Sequence, residues 1–234
     1  DIATRMVTGY YVSFEAPSRL SIALCLTRAV APKAELLADL ESTAEWPAQG
    51  KPRSIHVDNG SDFQSRVFKG ACAEWGIDLR YRPPGSPHFG GHIERLIGTM
   101  MEAVHLLPGT TQSSVAAKGS YDAEAMATMT LSEFDSWFAL EICRYNNSIH
   151  SSLGCTPVAK WEALSGAMAG DIPFDMEAFR VSFLPSELRQ VRRDGIHLFD
   201  LRYWSDALAG HVGRKDGKVV VRYDPRNLSV IWVE

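Results

Sequence analysis

Two acids in this 234-residue chain, Asp58 and Glu94, stand where a carboxylate can do more than solvate. Asp58 ends the short apolar run SIHV and begins the turn Asp58-Asn59-Gly60. Glu94 falls in the first turn of a stretch in which Ile93, Leu96, Ile97, Met100, Met101 and Val104 recur at helical spacing. Taken alone, each acid is better read in the ordinary way: Asp58 as turn chemistry, Glu94 as a complement to the helix dipole. As a pair they are more specific. An acid at the C-terminal end of a sheet strand lies where open α/β sheets place their ligands. The second acid follows one more strand and a glycine loop, with thirty-five residues between the two. Converging carboxylates repel unless they are protonated or bridged by a cation. Oxygen-only ligation suits Mg2+ or Mn2+. Two such ions can activate a water or hydroxyl and stabilise the leaving oxygen of a phosphodiester.

The elements that must position these acids can be read from pattern. Arg5–Phe14 is β-branched and aromatic and predicts a strand. A helix is expected after Ser18, its N-cap, with Leu20, Ala23, Leu24 and Leu26 on its apolar face. Pro32 interrupts, and residues 33–46 continue helically. SIHV predicts a buried strand ending at Asp58. Residues 62–75 predict a helix, with Asp62 as N-cap or first-turn acid and Gly76 as its stop. IDLRYR is a further strand. Pro83–Gly91 is too rich in Pro and Gly to be regular. Strands alternating with helices in this order indicate an α/β domain with a partly parallel sheet.

Composition sets outer bounds. At 45% hydrophobic the chain can bury a sizeable core. No apolar run reaches membrane-spanning length and no signal-peptide pattern opens the sequence. Cys25, Cys72, Cys143 and Cys155 are far apart, without a CxxC pair, and read as small core hydrophobes of a reducing compartment rather than a zinc site. The net charge of −4 does not advertise a nucleic-acid binder, although a global sum can hide a local patch.

VDNGSDF, the thirty-five-residue gap and PGSPHFGGHIER together resemble the integrase core of DDE transposases and retroviral integrases. DIATRMVTGYYVSFEAPS looks like the family's second-to-third-strand segment, and YNNSIHSSLGCTPVAKW like a pattern that follows the catalytic helix in bacterial members. From about Arg189 onward the chain resembles the small C-terminal β-domain of phage-Mu-type transposases. The resemblance implies a ribonuclease-H-like mixed sheet with flanking helices over residues 1–168, and a small all-β barrel over 169–234. It makes Asp58 and Glu94 the second and third members of a catalytic triad that binds two Mg2+ or Mn2+ ions. It implies hydrolysis at transposon 3′ ends, then attack of the freed 3′-hydroxyl on target DNA, by a homo-oligomer assembled on paired ends. An accessory ATPase, a cytoplasmic setting and a bacterial or phage origin belong to the same expectation. A metal-dependent nuclease on the same fold and a non-catalytic module that binds DNA or a partner protein stay open as alternatives.

The first triad acid is not matched by Asp1. In the family that aspartate sits mid-strand with two further strands before the first helix, whereas here only one predicted strand precedes Ser18. Asp1 matches a turn acid instead; the family's first strands are expected to lie upstream of residue 1, or else the fragment is expected to be inactive and repaired by a partner. Asn59 is expected in the turn and near the metal site. Arg95 is read as a phosphate contact, and His92 divides evenly between that role and a structural one. Gly98 and Met101 stand where retroviral members carry DNA-contacting lysines, so that contact does not carry over. His150 and Tyr145 read as packing residues.

Residues 108–130 read as a connecting loop and 166–175 as a second boundary. Beyond it, Asp216-Gly217 and Asp224-Pro225 mark hairpin turns. From Arg180 to Arg226, ten Lys or Arg face six Asp or Glu, and Arg192 and Arg193 are the DNA-binding candidates.

Overall fold

The structure is a computed structural model that describes residues 1–83, 90–110, 122, 126–168, 171–173, 175–213 and 217–234. The parts of the expected loops at 84–89, 111–121 and 123–125, much of the 166–175 boundary and the start of the Asp216-Gly217 turn lie outside the described residues.

The helix α1 spans Arg19–Val30, with Ser18 at its N-cap, where the Ser18 N–H donates to Ser21 Oγ at 2.6 Å. α2 covers only Ala34–Asp39, shorter than the pattern suggests. Its end is set by Glu41, which adopts a left-handed φ of 49°. That geometry lets Ser42 N–H bond Leu37 O at 2.9 Å and Glu41 N–H bond Ala38 O at 3.0 Å, a double closure that stops a helix. β1 is Ser54–Val57. α3, Arg66–Glu74, begins later than expected because Ser65, not Asp62, is its N-cap. Gly76 ends it at φ 64°, as the sequence predicts. β2 is Asp78–Tyr81 and α4 is Gly91–Val104. α5 (Leu131–Asn146), α6 (Pro157–Met168) and α7 (Met176–Phe183) follow.

β1 and β2 pair in parallel, Val57 opposite Tyr81. Among the described residues this is a two-stranded sheet, not the larger mixed sheet expected. Arg5–Phe14 is the reason for part of the difference: its residues form no ladder. A strand pattern specifies faces, but a strand needs a neighbour for its N–H and C=O groups. Here a side chain supplies it. Asn146 Oδ1 accepts from Val7 N–H at 3.0 Å, and Asn146 Nδ2 donates to Val7 O at 3.1 Å. Trp46 Nε1 donates to the same carbonyl at 2.8 Å. Met6 and Tyr10 of this stretch are nevertheless buried.

Two apolar cores divide the N-terminal region. In one, Ala23 and Val30 of α1, Phe68 and Cys72 of α3, and Phe179 and Phe183 of α7 pack with Ile55 of β1 and Leu79 of β2. In the other, Met6, Tyr10 and Trp46 meet Met100 of α4, Ile142 and Cys143 of α5, and Val158 of α6. Each fully buried large side chain here stabilises the fold by about 1.5–3 kcal/mol. The cysteines are free, two of them buried in these cores, as their spacing suggests.

The C-terminal region comprises β3 (Ser186–Gln190), the short hairpin β4 (Ile196–Leu198) and β5 (Leu201–Tyr203), a 3-10 helix over Asp206–His211, and β6 (Lys218–Asp224) and β7 (Asn227–Val233). β3, β6 and β7 form an antiparallel sheet, while β4 and β5 pair only with each other. The hairpin predicted at Asp224-Pro225 is present as β6–β7, the one predicted at Asp216-Gly217 falls partly outside the described residues, and among the described residues the strands do not close a barrel. Strands of three residues give too little ladder to bridge two sheets. Leu208 of the 3-10 helix, rather than a further strand, packs onto Val191, Ile196, Leu198, Val219 and Val221.

Candidate active site

Because β1 and β2 run parallel and in register, the residues just past their ends, Asp58 and Arg82, are neighbours at the C-terminal edge of the sheet. Arg82 N–H makes the last ladder bond, to Val57 O at 2.9 Å. Asn59 Nδ2 donates to Arg82 O at 3.1 Å. The backbone of Arg82 is therefore held by β1 on both sides of Asp58.

Asp58 is exposed and spends one oxygen on its own turn: Oδ1 accepts from Gly60 N–H at 2.9 Å. The turn chemistry anticipated for it is real. Gly60 has a practical reason to be glycine, since a Cβ there would lie 2.9 Å from that Oδ1.

Glu94 lies in the first turn of α4 with its side chain 66% exposed. Its nearest opposite charge is Arg82, whose Nη1 lies 4.0 Å from Glu94 Oε1. Gly90, at the N-cap of α4, makes this approach possible. A Cβ on Gly90 would sit 2.3 Å from Arg82 Nη1 and 2.7 Å from Glu94 Oε1. The φ of −96° at Gly90 is open to any residue, so the constraint is space alone. Asp58 belongs to the strand anchored in the first core, whereas Glu94 belongs to a helix anchored through Met100 in the second. Arg82 and Asn59 are what link the two. Sequence reasoning missed Arg82 and Gly90. The available signal was positional: Arg82 follows β2 as Asp58 follows β1.

His92 and Arg95 are exposed, and neither makes an ion pair with the described residues. Three residues apart, they share one side of α4, with Glu94 about 100° round from Arg95. Asp58 and Asn59 thus adjoin the backbone of Arg82, the Arg82 guanidinium faces Glu94, and His92 and Arg95 lie on the same helix as Glu94. Gly98 has open space where a Cβ would be and Met101 is partly exposed, and neither carries a charge one or two turns beyond Glu94. Asp1 is engaged locally: its Oδ1 accepts from both the N–H and the Oγ1 of Thr4 at 2.9 Å, the turn role expected of it. His150 and Tyr145 meet edge to face at 6.1 Å, also as expected.

Among the described residues no three His, Cys, Asp or Glu side chains converge into a metal cluster. A pair of carboxylates nevertheless fits a hard cation of the Mg2+ type, which is bound through one or two carboxylates with substrate phosphates and water as the other ligands.

The C-terminal region presents a second charged surface. Four of its described arginines are paired: Arg180 and Arg226 with Asp224, Arg189 with Glu187, Arg222 with Glu234. Arg192 and Arg193 stand exposed at the turn closed by the Arg192–Gly195 bridge. Lys218, opposite Gln190, and Arg202, opposite His197, are exposed nearby. Trp204 is half exposed beside them.

Residues 1–109 match the family described as the TnsB C-terminal domain, and residues 180–234 the family described as Mu transposase, C-terminal. Across 100% of its length the chain is 28% identical to the transposase for transposon Tn552 of Staphylococcus aureus, of which it spans 45%. Over 87% of its length it is 24% identical to the transposon Tn7 transposition protein TnsB of Escherichia coli, spanning 31% of that protein. The chain thus has transposase homologues and spans less than half the length of either relative. No helix among the described residues is long and apolar enough to cross a membrane.

Proposed function

We propose that the chain is part of a DNA transposase that carries out metal-dependent phosphoryl transfer, cutting transposon 3′ ends and joining them to target DNA. The observation that carries this reading is the position of Arg82, whose backbone adjoins Asp58 and Asn59 at the C-terminal edge of two parallel strands while its guanidinium faces Glu94. Transposase homologues on both halves of the chain support it.

In this reading Asp58 and Glu94 hold Mg2+ or Mn2+ by their carboxylates. The bound ions would supply a lowered pKa for the attacking water or hydroxyl and charge neutralisation at the leaving oxygen. The protein's own task is placement. Asn59 fixes the end of β2 against β1, which holds the backbone of Arg82 beside Asp58. Arg95 and His92, outward on α4, are placed to contact phosphates flanking the scissile bond. Arg192, Arg193, Arg202 and Lys218 grip the DNA backbone, and Trp204 offers a face for stacking. The core is taken as ribonuclease-H-like and the working form as a homo-oligomer on paired ends. No residue from 1 to 234 is assigned as the family's first aspartate.

The test is a strand-transfer assay on end-bearing DNA with Mn2+, comparing the wild type with Asp58→Asn and Glu94→Gln. Joined products that either substitution abolishes, with DNA binding retained, are expected. Cleavage without joining identifies a nuclease on the same scaffold. DNA binding with neither activity, unaltered by both substitutions, identifies a binding module.

A further inference from the structure

We propose that Arg82 acts as a resident counter-charge on Glu94, so that a divalent cation gains that carboxylate fully only when nucleic-acid phosphate draws the guanidinium away. This rests on the reading of Asp58 and Glu94 as cation ligands. The backbone of Arg82 is immobilised by Val57 O and by Asn59, so movement is confined to its side chain. The guanidinium lies over Gly90 and is 28% exposed, whereas the carboxylate it faces is 66% exposed. At 4.0 Å the two groups attract without a formed hydrogen bond, and an ion pair this open to water is readily exchanged.

A guanidinium beside a ligand oxygen opposes the arrival of a second cation. The same planar fork matches a phosphate's oxygens better than it matches a single carboxylate oxygen at this distance. Phosphate from nucleic acid and the divalent ion therefore exchange partners with one resident pair: Arg82 passes to phosphate, and Glu94 passes to the ion. By linkage each ligand then raises the affinity for the other by the same factor. The site stays charge-neutral at Glu94 when neither is bound.

Mn2+ affinity tests this without reference to turnover. Free Mn2+ is counted by electron paramagnetic resonance, with and without a short DNA duplex at fixed ionic strength. In the wild type the duplex is expected to tighten Mn2+ by roughly five- to tenfold, the scale of one charge at this separation near a wet surface. Arg82→Gln should bind Mn2+ more tightly by a similar factor without DNA and gain little from the duplex. Gly90→Ala, which displaces the guanidinium, should behave like Arg82→Gln. Arg82→Lys, which keeps the charge, should retain the weak DNA-free affinity. Glu94→Gln should weaken Mn2+ binding throughout. If Glu94→Gln weakens binding but Arg82→Gln leaves the DNA-free affinity unchanged or lower, the counter-charge role is wrong and the cation site stands. Coupling that survives intact in Arg82→Gln comes from phosphate ligation of the ion and also overturns it. If Glu94→Gln leaves Mn2+ binding unaltered, the cation reading itself fails, and the inference falls with it.

Discussion

Asn146 holds Val7 across 139 residues of chain by a paired N–H and C=O contact, the same two bonds a neighbouring strand would make. Asn146 is fully buried and Val7 partly so. Asn146→Ala should cost about 1–3 kcal/mol, because Val7 N–H loses its partner while Val7 O keeps Trp46 Nε1. Urea unfolding followed by circular dichroism measures this. A change below half a kilocalorie would mean that Trp46 suffices for Val7 O and that water replaces Asn146 at Val7 N–H.

Gly9 makes the opposite kind of demand. A Cβ there would meet Cα and N of Ala29 in α1 at 2.5 Å, against backbone that cannot swing aside. Gly9→Ala is therefore expected to destabilise by about 1–3 kcal/mol through overpacking. Thermal melts of the two proteins side by side decide the matter. A stabilised variant would show that residues 5–14 lie further from α1.

Lys33 is 4% exposed and donates to the carbonyls of Ala31 at 2.6 Å, Ala48 at 2.7 Å and Ala29 at 3.2 Å. Burial, aided by the nearby Arg28 charge, pushes its ammonium down from 10.5 to about 8. Between those values the unfolded chain binds more protons than the folded one, so this group makes stability rise with pH from about 8 to 10.5. Below that window its full desolvation cost is present. Lys33→Met should remove the rise while leaving the losses caused by other groups, such as Cys72, whose thiol burial pushes up to about 11. The difference between wild-type and variant stability, followed over this pH range, isolates the effect. A difference independent of pH would contradict it.

On the C-terminal surface, Arg192, Arg193, Arg202 and Lys218 should each contribute to DNA binding through counterion release. Replacing any one by Ala should lower the slope of log affinity against log salt by about one, with little change in sequence preference. Fluorescence anisotropy across a salt series reads the slope. Replacing Arg180 or Arg222, already committed to Asp224 and Glu234, should perturb folding instead.

What was legible in the sequence was local. β1, β2, α4, the Ser18 cap and the Gly76 stop follow from residues within a turn or two of one another, and they appear where the pattern puts them. What failed depended on distant partners. Arg5–Phe14 has the alternation of a strand, but pattern cannot say whether a ladder or a single amide from α5 will satisfy it. The truncation of α2 turns on Glu41 entering a left-handed conformation, which its residue type does not announce. Barrel closure was inferred from hairpin signals, which fix adjacent pairing but not whether the outer strands meet. At the site, the acids were visible by spacing, while Arg82 was hidden because its importance arises from register with Asp58.

Ser182 of α7 accepts from Trp75 Nε1 through its hydroxyl at 2.7 Å and from Arg222 Nη1 through its carbonyl at 2.6 Å. One residue thereby joins the end of α3 to the sheet that leads to the basic turn. The sheet that leads to the Arg192–Arg193 turn and the helix packed against β1 are thus bolted together rather than tethered. Under the proposed function this would make the chain a measuring device, with DNA held at that turn meeting the strand end that carries Asp58 at a set reach.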